Sequence, residues 1–168
     1  FGVEAFGMEG STIEAEVLLL SAALWQNLGL DQYLSLEINN LGTSANRSAY
    51  GEALHSYLLG FKDDLDEDSQ RRLDANVLRI LDSKSPDTQR ILEKAPVLED
   101  FIDKDSQEEF EKLLSILNEA GVKFKLNSRL VRGLDYYNGM VFEWTTEELG
   151  AQATVCAGGR YDGLVKKL

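Results

Sequence analysis

The chain has 168 residues, 43% of them apolar and 27% charged, and a formal net charge of −12. That size and balance fit a soluble globular fold of one domain, or a core with a small inserted module. The longest strongly apolar stretch, residues 17–25, is far shorter than the roughly 18 residues a membrane span needs, so no membrane partner is expected. The acidity disfavours a stand-alone nucleic-acid binder, because phosphate contacts need a basic surface, although a local basic patch stays open. The single Cys156 excludes an internal disulfide and a multi-cysteine zinc site, and fits a reducing, cytoplasmic setting. Phe1 stands where a start methionine would, and no charged-then-apolar leader precedes the first helical pattern. The expectation is a piece of a longer chain without a signal peptide.

Residues 3–6 read as the end of a strand and 7–10 as a turn. Ser11, Thr12, Ile13 and Glu14 have the form of a capping box, in which Ser accepts from the backbone three residues on and Glu reaches back. The helix they open is expected to reach about Leu28, with Gly29 as its stop. Its apolar stripe is Ile13, Val17, Leu20, Leu24 and Leu28, widened by Leu18, Leu19 and Trp25. Residues 33–39 alternate: Leu34, Leu36 and Ile38 face one way, Ser35, Glu37 and Asn39 the other. This is a half-buried strand suited to an antiparallel sheet, whose polar face is either wet or lines a ligand cleft.

From residue 44 to 121 the pattern turns helical. Tyr50, Ala53, Leu54, Tyr57, Leu58 and Phe61 form one stripe; Phe110, Leu113, Leu114, Leu117 and Ala120 form another. The second opens on a capping box, Ser106 to Glu109, and stops at Gly121. Pro86 and Pro96 punctuate the interval. The reading is a helical module, 44–121, inserted between two strands of a core made from 1–43 and 122–168. The acidic run over 99–111 means its exposed face is not uniformly basic. Asp64, Asp66 and Asp68 mimic the start of a calcium loop, but Ser69 stands where the turn glycine belongs and Ala75 where the bidentate glutamate belongs. A solvated acidic turn is expected there, with no metal, and with Arg71 and Arg72 pairing with it or contacting a phosphate. Residues 122–126, 138–145 and 151–156 read as strands, the last two joined as a hairpin across 146–150, and a helix begins near Asp162. The fold class is therefore α+β: an incomplete mixed, largely antiparallel sheet with flanking helices and an inserted helical module.

Two segments carry the chemistry. Leu130, Val131, Arg132, Gly133, Leu134, Asp135, Tyr136 and Tyr137 form the first; Ala157, Gly158, Gly159, Arg160, Tyr161, Asp162, Gly163 and Leu164 form the second. Each sets a guanidinium beside tyrosine, aspartate and glycine. Arginine supplies a fixed fork of donors for phosphate or carboxylate. Glycine permits close backbone approach, and tyrosine gives a flat wall with one polar handle. The set suits a small polar ligand with an anionic group; the plainer alternative is two turns, each with a buried ion pair. No Gly-x-x-x-x-Gly-Lys loop occurs. His55 is the only histidine and lies in the 50–61 helix as a surface or packing residue, so no Ser/His/Asp triad can form. What remains is ligand positioning and charge stabilisation.

Together, LVRGLDYYN…VFEW and CAGGRYDGLV resemble the two signature segments of the histidyl-tRNA synthetases, which are class II aminoacyl-tRNA synthetases. The resemblance runs from Phe1, Gly2, Val3 and Glu4 onward and is strongest over 130–165. It implies a class II type of sheet and an activity that joins histidine to ATP as histidyl-adenylate and passes it to tRNA(His). ATP is then a substrate, with Mg2+ on the nucleotide, and no permanently bound cofactor is implied. The implied full-length protein is a homodimer, and its helical insertion is associated with the tRNA acceptor stem. By resemblance Arg132 is the catalytic arginine between the substrate carboxylate and the α-phosphate. Glu4 and Tyr137 take the imidazole, and Tyr161 lies near the substrate amino group.

Supporting roles fall to Asp135, orienting Arg132 or a backbone turn, and to Gly158 and Gly159, letting the strand pass close to the substrate. Arg160 pairs with Asp162 or, less in keeping with the pattern, contacts ligand. Tyr136 points away from Tyr137 if the segment is extended. Gly139 stands where the family often has a larger residue, with no functional consequence expected. The family's ATP-binding arginines belong to segments before Phe1 and after Leu168, so the chain alone is expected to show no appreciable aminoacylation. The competing readings are a catalytically inactive paralogue (a regulatory subunit of ATP phosphoribosyltransferase or a tRNA-sensing module) and a purely structural interaction module. Retention of Glu4, Arg132, Tyr137 and Tyr161 favours the enzyme.

Overall fold

A computed structural model of the chain describes residues 1–8, 10–131, 137–148, 150 and 153–162. Among these, five strands form one mixed sheet in the order β1-β5-β4-β2-β3. The central strand β4 (Asn138–Thr146) runs antiparallel to β2 (Ser35–Asn40) on one side and to β5 (Ala153–Arg160) on the other. β1 (Gly2–Ala5) pairs parallel to β5, and the short β3 (Lys125–Leu126) pairs parallel to β2. The fold is thus α+β, as the patterning implies. No described helix is long and apolar enough to cross a membrane.

The two faces of the sheet carry different cores. Because side chains alternate along a strand, Leu36, Ile38, Met140, Phe142 and Trp144 share one face. They pack with Cys156 against α1 (Ser11–Leu28) and α5 (Lys104–Glu119), chiefly through Leu18, Trp25, Leu113 and Leu117. On the other face Val141 and Tyr137, with Leu130 and Val131, join a second cluster. Its remaining members include Tyr50, Leu54 and Leu58 of α2 (Ser44–Leu59), Leu73 of α3 (Glu67–Leu73) and Leu92 of α4 (Pro86–Leu92). Residues 44–102 therefore gather over the face that also presents Tyr137, while α5 lies with α1 behind the sheet.

The expected helix stops and the start of α1 at Ser11 hold, whereas the expected capping arrangements do not. Gly29 at φ 69 and Gly121 at φ 72 end α1 and α5 in the left-handed region, where glycine has no Cβ penalty. The capping box expected at Ser11 does not form. Gly10 holds the cap position, the Ser11 amide donates to the Glu109 carboxylate of α5 at 3.0 Å, and Glu14 turns inward. α5 begins earlier than expected, with Asp103 accepting from the Ser106 amide at 2.9 Å. α2 starts at a Thr43–Asn46 capping box ahead of its apolar stripe. The stripe expected on α1 is also displaced, since Leu20, Leu24 and Leu28 are exposed. The buried face is Glu14, Val17, Leu18, Ser21, Ala22 and Trp25. α1 is apolar nearly all round, so spacing could not choose a face. Small residues let the helix come close to β4, where the Trp144 indole donates to Ser21 Oγ at 2.9 Å.

Strand limits shift as well. A 3₁₀ turn occupies Asp31–Tyr33, and of the strand expected over 122–126 only Lys125–Leu126 pairs. β5 continues four residues past the expected end, through Gly158 and Gly159 to Arg160. The helix expected from Asp162 onward falls outside the described residues.

The acidic turn at 64–68 is more than solvated. Asp66 caps α3 and accepts from the Ser69 amide and from the hydroxyls of Ser69, Ser83 and Thr88 at 2.6–3.0 Å. Burial raises this carboxyl, but those hydrogen bonds outweigh it and hold Asp66 far below the usual carboxylate range. A depressed carboxylate stabilises the fold above its unfolded pKa, and the contribution fades as pH falls below about 4 toward the folded value. Asp66→Ala is expected to cost about 1–3 kcal/mol at pH 7, measured by urea denaturation, and the difference from wild type is expected to shrink below pH 4. Arg71 pairs with Asp68, as the sequence suggested, and Arg72 donates to the Arg79 carbonyl at 3.1 Å.

Candidate functional site

The parallel pairing of β1 with β5 sets Glu4 beside Gly159. Tyr137 enters β4 on the same face. A Cβ at Gly159 would lie 3.0 Å from Tyr137 Cδ1 and 2.7 Å from the Met140 carbonyl oxygen. The tyrosine ring thus rests on bare glycine backbone. From there its hydroxyl donates to Glu4 Oε1. The ring is buried, with 2% of its surface exposed, whereas Glu4 is open to solvent. Two side chains 133 positions apart in sequence meet because β1 and β4 flank the same glycine.

Gly158 is tighter still. A Cβ there would sit 1.8 Å from the Val3 carbonyl oxygen. The space that Gly158 and Gly159 leave is filled by the chain itself, by the β1 backbone and by the Tyr137 ring.

Beyond β5, Tyr161 stacks on Phe6, with ring centroids 5.2 Å apart and planes at 30°, and its amide donates to the Ala5 carbonyl at 3.1 Å. Tyr161 therefore stands over the end of β1, near the strand that carries Glu4. Asp162 fastens this corner. It accepts from the Gly7 amide at 2.8 Å and from Asn138 Nδ2 at 3.3 Å, pairs with Arg160, and donates its own amide to Asn138 Oδ1 at 3.0 Å. Burial raises the Asp162 carboxyl, but these donors and the Arg160 charge bring it below its ordinary value. Arg160 thus forms the ion pair the sequence offered as the simpler option. Its guanidinium also lies 3.9 Å from Glu14 Oε1. Glu14 is buried and accepts from the Met140 amide at 3.2 Å. Burial pushes its carboxyl up, only partly opposed by that amide and by Arg160.

Gly139 has a clear structural reason. It sits at φ 62 in the irregular start of β4, and a Cβ would come 2.7 Å from Glu14 Oε1. Its amide donates to the Gly42 carbonyl and its carbonyl accepts from Leu41.

Glu4, Tyr137, Tyr161, Gly158, Gly159 and Arg160 are thus brought together at the β1–β5–β4 end of the sheet. Arg132 and Asp135, with Gly133, Leu134 and Tyr136, lie outside the described residues. The residues flanking that segment, Val131 and Tyr137, are both buried. Sequence reasoning missed Asn138 and Glu14 as structural partners. Nothing in their spacing marks them, since Glu14 reads as a cap and Asn138 as a strand start. His55 makes a half-exposed contact with Asp74 at 3.1 Å, away from this corner. Among the described residues no group of three or more His, Cys, Asp or Glu could hold a metal ion.

The family model for histidyl-tRNA synthetase matches residues 1–168. A histidine–tRNA ligase of Marinomonas sp. is 59% identical over 167 residues, which cover 99% of this chain and 39% of that protein. The crystal structure of apo S. aureus histidyl-tRNA synthetase superposes with a TM-score of 0.73 at 34% identity, covering 96% of this chain and 39% of that one. A Bacillus halodurans protein described as an ATP phosphoribosyltransferase regulatory subunit/histidyl-tRNA synthetase shares the fold, with a TM-score of 0.60 at 22% identity over 96% of this chain and 45% of that one. The chain spans about two fifths of the length of the curated relatives it matches. On the match to the whole of its length, the chain belongs to the histidyl-tRNA synthetase family.

Proposed function

We propose that the protein containing this chain is a histidine–tRNA ligase, and that the corner formed by Glu4, Tyr137 and Tyr161 receives the histidine. The observation that carries the reading is the contact between Tyr137 and Glu4. With the phenolic proton directed at the carboxylate, the pair offers oxygen acceptors. An imidazole N–H is a matching donor, and a carboxylate has capacity for several acceptor bonds. Tyr161, over the same strand end, suits the substrate amino group. In the full-length protein ATP and tRNA(His) are the other substrates, Mg2+ accompanies the nucleotide, and two copies associate as a homodimer in the cytoplasm. Residues 44–121 serve as the helical insertion, between core segments 1–43 and 122–168.

The chemistry asked of the site is orientation and charge stabilisation. The histidine carboxylate attacks the α-phosphate of ATP, pyrophosphate leaves, and negative charge spreads over the phosphoryl oxygens. Arg132, always cationic and able to donate in a fork, is the group we assign to that charge. Asp135 orients it. The chain by itself is proposed to be inactive.

Histidine-dependent ATP–pyrophosphate exchange by the full-length parent tests the reading. Arg132→Ala is expected to lower the rate about 10²–10³-fold, as for loss of one charge-stabilising donor. No exchange by a folded wild-type parent would refute the ligase assignment and favour a regulatory relative of the same fold.

A further inference from the structure

The polar face of β2 holds a second device. Glu37 and Asn39 alternate on the side opposite Leu36 and Ile38, and both engage the segment that leads to Arg132. Asn127 enters it by donating its amide to the Ile38 carbonyl at 3.0 Å and its side chain to Glu37 Oε2 at 2.7 Å. The Asn127 side chain then accepts from the Arg129 amide at 3.0 Å, and its carbonyl accepts from the Leu130 amide at 2.9 Å. Asn39 completes the hold. Its Nδ2 donates to the Leu130 carbonyl at 3.0 Å and to the Ser128 carbonyl at 3.4 Å, while its Oδ1 accepts from the Asn40 amide at 2.9 Å.

These bonds fix the chain up to a buried pair, Leu130 and Val131, 7% and 8% exposed. Arg132 is the next residue. We propose that Asn39 is a positioning residue for the reaction: it sets the backbone from which Arg132 is delivered, through the Leu130 carbonyl two residues earlier. This rests on the ligase reading and on the role assigned there to Arg132. The physical argument is that a guanidinium acts on developing charge only when its fork is aligned, and a misplacement of about 1 Å can cost on the order of 10²-fold in rate. An amide side chain suits the task because it can donate to two carbonyls and accept from its own neighbour at once.

A double-mutant cycle in the full-length parent tests this, read by ATP–pyrophosphate exchange over a range of histidine concentrations at saturating ATP. Asn39→Ala is expected to lower kcat about 10–100-fold with the histidine KM changed less than about threefold, because what is lost is alignment in the transition state. In an Arg132→Ala background the same change is expected to cost less than about threefold, since the group it positions is gone. If Asn39→Ala does not fold, Asn39→Asp carries the same cycle, because it keeps an oxygen to accept from the Asn40 amide and replaces the donor to Leu130 and Ser128 by a charged acceptor. Equal losses in both backgrounds would show a purely structural role and overturn the inference, as would an unchanged kcat in the single variant. An active wild type is what separates these outcomes from failure of the ligase reading. A folded wild-type parent without histidine-dependent exchange would overturn that reading and the inference with it.

Discussion

Gly158→Ala is expected to destabilise the fold by more than about 3 kcal/mol, or to prevent it from forming. The new methyl would sit 1.8 Å from the Val3 carbonyl oxygen and 3.0 Å from Phe142 Cε1. Neither neighbour has a cheap escape. The carbonyl belongs to the backbone of β1, and Phe142 is fully buried in the core between sheet and α1. Relief requires β1 to leave β5, which removes Glu4 from Tyr137 and frees the edge of the sheet for pairing with other chains. Gly51→Ala is the contrast. That glycine lies inside α2, and a Cβ there meets only Val77 Cγ1 at 3.8 Å. The substitution is expected to be neutral or to stabilise by about 0.5–1 kcal/mol through helix propensity. Urea denaturation of the two variants beside wild type decides it. A Gly158→Ala chain within 1 kcal/mol of wild type would mean that the β1–β5 approach is looser than described.

The elements with strong local signals were legible in the sequence. The alternation in 33–39 gives β2, and Gly29 and Gly121 stop their helices because only a left-handed residue closes them. What was illegible depends on partners distant in the chain. Glu14 reads as a capping residue, yet it is buried against Met140 and Arg160, because Glu109, in the N-terminal half of α5, accepts from the Ser11 amide instead. The exposed Leu20, Leu24 and Leu28 and the buried Ala15, Ser21 and Ala22 show the same limit. Periodicity names a stripe, but sheet contact selects the face that fits. Of the candidate site, Tyr137 and Tyr161 lie in the two segments that residue chemistry singles out, whereas Glu4 and the role given to each of the three came from the resemblance alone. Their meeting across β1, β4 and β5 could not be read from spacing. The Asp162 clamp was half legible: Arg160 and Asp162 are near in sequence, whereas Gly7 and Asn138 are not.

The second large effect is expected at Glu4. Its carboxylate already accepts from Tyr137, so the pair has an arrangement set before ligand arrives, and little ordering remains to be done on binding. Glu4→Gln keeps the shape, removes the charge and turns one of the two acceptor oxygens into a donor. A charge-assisted hydrogen bond contributes about 1.5–3 kcal/mol, which corresponds to roughly 10–100-fold in affinity. Tyr137→Phe is expected to weaken binding less, because its loss removes a neutral hydroxyl and leaves the ring on Gly159. Stability should change little in the Gln variant, since Glu4 is solvent-exposed and the ring of Tyr137 stays packed.

Calorimetric titration of histidine into the full-length parent, wild type beside Glu4→Gln, tests the central claim most directly. Wild-type binding that weakens about 10–100-fold in the variant, with the thermal midpoint unchanged, is the expected result. Equal histidine affinity in the two folded proteins would contradict the assignment of the Glu4–Tyr137 corner to the imidazole.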